Sequence, residues 1–478
     1  MDIGQQSLKR ASQIGLAALG ILLAGAIIFF KERLFFADPS YIVFHIINGN
    51  IIAVQNNRYG SFITQIVPYI GLKLHLPLRA LLIGYALSFN VFFLLVALII
   101  VCRYKQSGLA VLMALYYFLF VSDSYFLLND EVHQGTAWLF LFFAVIFYLG
   151  RKKANIFLLL VPFLLLSFLA VSSHFIVIIS ISFLWLYFII EKKNWPFSKN
   201  NTILFSVLLA AVIAFKFLVS QSMPYENQNL KGALHFSAKD LLCVFSTPVI
   251  RIFLYRCLIN YWIAVVLFIA GIIYMVRYRQ LMLAAWTVIS CLGYLVLMGL
   301  AYRSSDSSWG LFHVETEWTS LGIIIAAPFV FTVLPTLKPS QTTLLLSIIF
   351  IVRLSYIAGA IPTFTWRTEF KERVMARMRQ KDISKLALYM DESFRPKCVL
   401  DWAFPNETLL ESGLNGDKPQ ITFFLLNRDD KATIEAIKNP KGYFDIYSVM
   451  PTGELNSKYY SIDTVHPYQI MTYDEFFK

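Results

Sequence analysis

Most of this chain is divided into apolar runs long enough to cross a bilayer, with short basic clusters between them. A spanning helix needs roughly 20 predominantly apolar residues, because each residue rises only about 1.5 Å across a hydrocarbon core of about 30 Å. Such runs occupy 14–30, 79–102, 108–127, 136–150, 155–171, 174–190, 202–220, 258–276, 282–301, 320–336 and 342–361, which predicts eleven spans. With 58% hydrophobic and 15% charged residues over 478 positions, the chain has too little polar surface to cover itself in water. The net charge of +12 comes from clusters flanking the spans, the positive-inside pattern, and not from a basic nucleic-acid face.

The clusters set the topology. Arg151-Lys152-Lys153 and Glu191-Lys192-Lys193 bracket the continuous apolar stretch 155–190, so both its ends are cytoplasmic and it turns near Ser172-Ser173-His174. Lys9/Arg10, Arg103/Lys105, Lys199, Arg277/Arg279 and Lys338 fall on the same side. The N-terminus is then cytoplasmic, with an uncleaved anchor helix, and the C-terminal segment lies outside a plasma membrane, the bacterial inner membrane by composition. Residues 31–78 and 221–257 read as outer loops, the first with amphipathic helices along the membrane surface. From 364 to 478 the apolar content drops and 17 of the 29 acidic residues occur. A basic helical stretch (Phe370 to Tyr389), β-like runs (Gln420–Leu426, Tyr443–Val449) and turn signals predict a small α/β domain there. The fold class expected is an all-α polytopic membrane protein carrying that extracytoplasmic domain, with the boundary at 363. Five cysteines without a CxxC pair indicate neither a disulfide framework nor a zinc site.

This topology sorts the chemistry-capable side chains. Before residue 364, only Asp2 and Glu191 among the acids fall inside. The other acids and six of seven histidines fall at the outer face, where they predict a catalytic or binding chamber. Asp38 follows the first span in Ala37-Asp38-Pro39, a pattern that also suits a helix N-terminus. Asp130-Glu131, with His133, occupy a short turn at a membrane edge, an expensive place for two carboxylates. His174 tips an apolar hairpin, and Glu315 and Glu317 precede the tenth span. For an anionic substrate the candidate partners are Arg58, Arg251, Arg256 and Arg353. Arg353 sits inside an apolar span and must have a partner.

An acid just after the first span, a long first outer loop and further acids in the next outer turn resemble the GT-C superfamily of integral-membrane glycosyltransferases, which includes oligosaccharyltransferases, protein mannosyltransferases and aminoarabinose transferases. The resemblance covers the topology of the whole chain, though a lone Asp38 before proline stands where an acidic pair is commoner. It implies a polyprenyl-phosphate or pyrophosphate sugar donor, a lipid, glycan or protein acceptor, and inversion at the anomeric carbon. Asp38 would be the general base or a metal ligand, and Asp130 and Glu131 would support it. A divalent cation such as Mg²⁺ or Mn²⁺ would sit on Asp38 and Asp130 if the reaction needs one. Arg251, Arg256 and Arg353 would steady the leaving phosphate with His174 as auxiliary donor. The competing classes are a secondary transporter or lipid-linked-glycan flippase, which would carry internal repeats and broken helices, a ligase-type enzyme, whose large late loop is missing here, and a non-enzymatic scaffold.

Overall fold

The computed structural model describes residues 3–128, 131–221, 227, 231–303, 311–389, 398–427, 430–446 and 448–478, the side chains of 311–314 excepted. Eight of its helices are long and apolar enough to cross a membrane. A ninth crossing is possible through Pro248–Ile259 and Trp262–Arg277, which pass together but meet at 87°. The first half comprises α1 (Ile3–Ile28), α2 (Phe30–Leu34), α3 (Asp38–Gly49), α4 (Ile66–Lys73), α5 (Leu78–Cys102), α6 (Ser107–Phe120), α7 (Glu131–Arg151), α8 (Ile156–Ser173), α9 (Val177–Glu191) and α10 (Lys199–Gln221). Leu281–Ala301, Leu311–Pro328 and Pro339–Gln380 complete the bundle.

Its two ends are chemically distinct. At one, Arg103 and Lys152 lie over the Tyr148 ring and Arg151 Nη1 donates to Gln106 Oε1 at 3.4 Å. Ser7 Oγ donates to the Leu337 carbonyl there at 2.6 Å, so the basic flanks of several helices do gather at one end. At the other lie the segment 31–78, the turn 121–128 and the α8–α9 tip. Gly60 shows how closely the first loop is docked. A Cβ there would run into Ser173 Oγ and the Leu169 carbonyl of α8, while Trp138 Nε1 donates to the Gly60 carbonyl at 2.9 Å.

Three runs differ from their expected form. The run 108–127 is helical only to Phe120, after which the backbone turns through a short 3-10 segment (Asp123–Phe126). The run 258–276 is interrupted at Asn260 and Tyr261. The run 320–336 loosens into a π segment (Phe329–Val333) after Pro328, whose ring cannot donate to the preceding turn. Nor does α3 lie simply along a membrane surface: Ile42, Val43, Phe44, Ile46 and Ile47 are buried, and Asn456 reaches it through hydrogen bonds to Asn48 Oδ1 (2.8 Å) and the Ile47 carbonyl (2.9 Å).

The expected domain boundary falls inside a helix. Pro339–Gln380 runs 42 residues without interruption across position 363 and ends where β1 (Lys385–Tyr389) begins, so the predicted helical stretch to Tyr389 ends at Gln380 and a strand follows. β1 is flanked by β2 (Thr422–Leu426) and β5 (Gln469–Thr472), both parallel to it, and β3 (Gly442–Asp445) pairs antiparallel with β4 (Ser448–Pro451). The helix Phe404–Asn415 supplies the crossover that a parallel β1–β2 pair requires. Phe370, Met375 and Met378 of the long helix pack with Phe404 against Leu386, Leu388 and Phe423 of the sheet. The α/β domain is therefore built onto the last turns of a bundle helix.

Candidate functional site

The first loop brings Asp38 to the start of α3. The helix begins with proline after its first residue, and Ala37 before it holds φ 45°, ψ −121°, a conformation an alanine seldom adopts. Asp38 is half-buried and its carboxylate acts electrostatically on the Tyr85 hydroxyl of α5, as does that of Glu131 at the start of α7. Tyr85 is fully buried, and its hydroxyl has no hydrogen-bond partner among the described residues. Asp38 and Glu131 thus approach one buried phenol from two elements far apart in sequence.

Glu131 in turn pairs with Arg58 Nη1 at 3.3 Å. Arg58 and Lys216 of α10 both act electrostatically on His174 at the α8–α9 tip, whose Nδ1 accepts from the Ile176 amide at 3.2 Å. Beside these lies a shallow, half-open groove lined by Asn57, Tyr59, Phe168, Val171, Ser172, Val212, Phe215, Lys216 and Val219. Only Lys216 among them carries charge. It is 3% exposed, and the neighbouring walls are mostly apolar. An apolar trough with one buried ammonium suits an amphiphile with an anionic head.

The remaining candidates gather elsewhere. Arg353 is buried and spends its guanidinium on backbone: Nε donates to Phe118 O (2.7 Å), Nη2 to Val121 O (3.0 Å) and Nη1 to Asn260 O. These carbonyls lie where α6 ends and where the bent pair breaks, so Arg353 stitches interrupted helices and is not placed to hold a donor phosphate. Glu315 is equally structural. It accepts from the Ser122 and Ser124 amides (2.8 and 2.7 Å), the Ser122 hydroxyl and Tyr261 (3.2 Å), fixing the 121–126 turn. Glu317 accepts from the Tyr302 hydroxyl at 2.9 Å. His133 is buried among the Phe89, Tyr116 and Tyr117 rings, with the Tyr116 hydroxyl 2.8 Å from Nδ1. Arg251 is exposed. Arg256 bonds Asn260 Oδ1 at 3.3 Å and faces Asp123. Asp130, Glu226, Asp306 and the His313 side chain lie outside the described residues. Among the described residues no three His, Cys, Asp or Glu side chains are grouped to hold a metal ion.

Two contributors escaped the sequence reading. Lys216 is one charge within the apolar stretch Ala214-Phe215-Lys216-Phe217-Leu218, the same signal that exposed Arg353. Arg33 looks like an ordinary membrane-flanking base, yet it is fully buried. Its Nε donates to the Tyr125 carbonyl at 2.9 Å and its guanidinium covers the Tyr125 ring, while Nη1 and Nη2 have no hydrogen-bond partner among the described residues. A buried cation with an open edge is costly to keep without an anion to meet it.

The fold defines a helical protein of the polytopic membrane class with an appended α/β domain. No family model, curated protein or solved structure matches the chain.

Proposed function

We propose that this protein is a membrane glycosyltransferase of the GT-C kind, moving a sugar from a polyprenyl-phosphate or pyrophosphate carrier to an acceptor at the extracytoplasmic face. The observation that carries the reading is the grouping of Asp38, Glu131, Arg58, His174 and Lys216 at one end of the bundle, beside an apolar groove. Taking the short apolar helices α6 and α9 as crossings beside the eight long helices and the bent pair matches the eleven spans expected from the sequence, and the positive-inside pattern supports an extracytoplasmic position for that end.

The chemistry asks for two kinds of group. As the bond from the anomeric carbon to phosphate oxygen breaks, its electron pair goes to the phosphate and the carbon gains oxocarbenium character. The acceptor oxygen or nitrogen bonds from the opposite face and loses its proton to a carboxylate. Asp38 takes that proton. Its place in the first turn of α3 suits a carboxylate, since the helix N-terminus favours negative charge. Lys216 is the cation for the phosphate, and Arg58 orients Glu131. If a divalent ion takes part, Asp38 and Asp130 are the residues to hold it, and it would draw charge from the leaving phosphate.

Purified protein given a radiolabelled polyprenyl-phosphate sugar, with lipid, glycan and peptide acceptors in parallel, tests the reading. Transfer should occur in the native chain and fall by about two to four orders of magnitude in Asp38→Asn, the range expected for loss of a general base. Full transfer by Asp38→Asn would remove the assignment. The broken helix at Asn260 is the feature a transporter or flippase would also have. Lipid translocation in vesicles without sugar transfer would establish that alternative.

A further inference from the structure

The turn that presents Asp38 is held jointly by the last bundle helix and the C-terminal domain. Glu407, on the C-terminal helix Phe404–Asn415, accepts the Ala37 amide on Oε1 at 2.9 Å. One peptide earlier, the Phe35 carbonyl accepts from Arg367 Nη1 at 2.8 Å and from Lys371 Nζ at 2.6 Å. The three side chains also hold one another: Arg367 grips both oxygens of Glu407 at 2.7 Å, and Lys371 reaches Oε2 at 2.7 Å. All three are buried. Two successive peptide groups are therefore clamped in opposite senses, one by its N–H and one by its C=O, on either side of Phe36. The backbone then passes through Ala37 at φ 45°. Released, an alanine would relax to negative φ, and the first turn of α3 would swing with it.

We propose that Glu407, with Arg367 and Lys371, is a positioning device for Asp38, through which the C-terminal domain sets the aim of the carboxylate. This rests on the reading of Asp38 as the base. It also gives the C-terminal domain a role in turnover in addition to any role in recognition. A misplacement of about 1 Å at a reacting group is enough to cost about 100-fold in rate.

The full-length chain in nanodiscs tests it through four variants. Glu407→Gln keeps the size and one acceptor oxygen but loses the charge that orders the clamp. It should lower kcat about 10- to 100-fold, leave KM for the lipid donor within about twofold and speed amide hydrogen exchange in the peptide covering 35–40. Ala37→Gly accepts the positive φ freely, so it should restore most of the lost kcat when combined with Glu407→Gln. Ala37→Val, which leaves the charges in place but tolerates positive φ poorly, should lower kcat by itself, and it serves if Glu407→Gln does not fold. Equal loss with and without Ala37→Gly, or a wild-type kcat in Ala37→Val, would overturn the proposal. Asp38→Asn is run alongside. If it retains turnover, the base assignment fails, while unchanged exchange at 35–40 in folded Glu407→Gln refutes the clamp whatever Asp38 does.

Discussion

Single buried charges in this protein divide by what they touch. Arg353 and Lys216 give the same sequence signal, one cation in an apolar run, yet the first is consumed by three carbonyls and the second lines a groove. Arg353→Met should therefore destabilise the fold, since each carbonyl left unpaired costs roughly 1–3 kcal/mol, and thermal unfolding in detergent would register it. On the proposed function, a short-chain polyprenyl phosphate should raise the unfolding temperature of the native chain and not that of Lys216→Met. Equal stabilisation of both proteins would dismiss the groove as the lipid site. The sequence could announce both charges but not distinguish them, because the carbonyls that occupy Arg353 are freed by helix breaks that hydropathy does not register. Glu411 is a third case. It is buried one turn beyond Glu407, with Lys31 Nζ at 3.6 Å and neither oxygen hydrogen-bonded among the described residues. Burial lifts its pKa from 4.5 to about 7, against the pull of Lys371 and Lys31. A carboxyl raised on folding contributes stability that is complete below its unfolded value and lost as pH climbs through the folded one. Unfolding followed from pH 5 to pH 8 should thus show stability falling across that window, and Glu411→Gln should flatten the slope.

Among the elements, the long apolar runs were legible because hydropathy reports on length and solvent, and each of the eleven predicted runs contains helix. What hydropathy omits is direction and continuity. The bend at Asn260 and the early end of α6 depend on side chains that recapture freed backbone groups, and those side chains are distant in sequence. The site was half legible on the same grounds. Of the residues singled out, Arg58 pairs with Glu131 and acts on His174, and Asp38 and Glu131 both act on Tyr85. Glu315, Glu317 and Arg353 were grouped with them only because acids and arginines near one face cannot be told apart without packing. Gly60 had no sequence mark at all, yet it admits the first loop to α8. Gly60→Ala should push that loop outward and cost on the order of 1–3 kcal/mol or more, with accessibility of a cysteine placed at Asn57 as the readout. Unaltered labelling would mean that the loop docks through other contacts.

At the scale of the whole molecule, the sequence placed a boundary where the fold has none. Composition changes near 364 because one solvent gives way to another, but the helix carries on, and the charges that look like a soluble surface, Arg367, Lys371 and Glu407, are interior. Glu407→Ala strands two buried cations, a loss of roughly 3–5 kcal/mol. It should lower the unfolding temperature of bundle and domain together, as one transition, whereas two separate transitions would show the halves to be energetically independent. The helix Pro339–Gln380 carries a mechanical consequence. At about 1.5 Å per residue its 42 residues extend on the order of 60 Å, about twice the hydrocarbon thickness. It is a mast stepped in the membrane with the α/β domain rigged to its head. Its one soft joint is Pro362, which has no amide hydrogen to offer the turn below. Its head is also stayed to the first loop, by Glu407 on the Ala37 amide and by Asn456 on Asn48 and Ile47, so the domain does not hang from the mast alone.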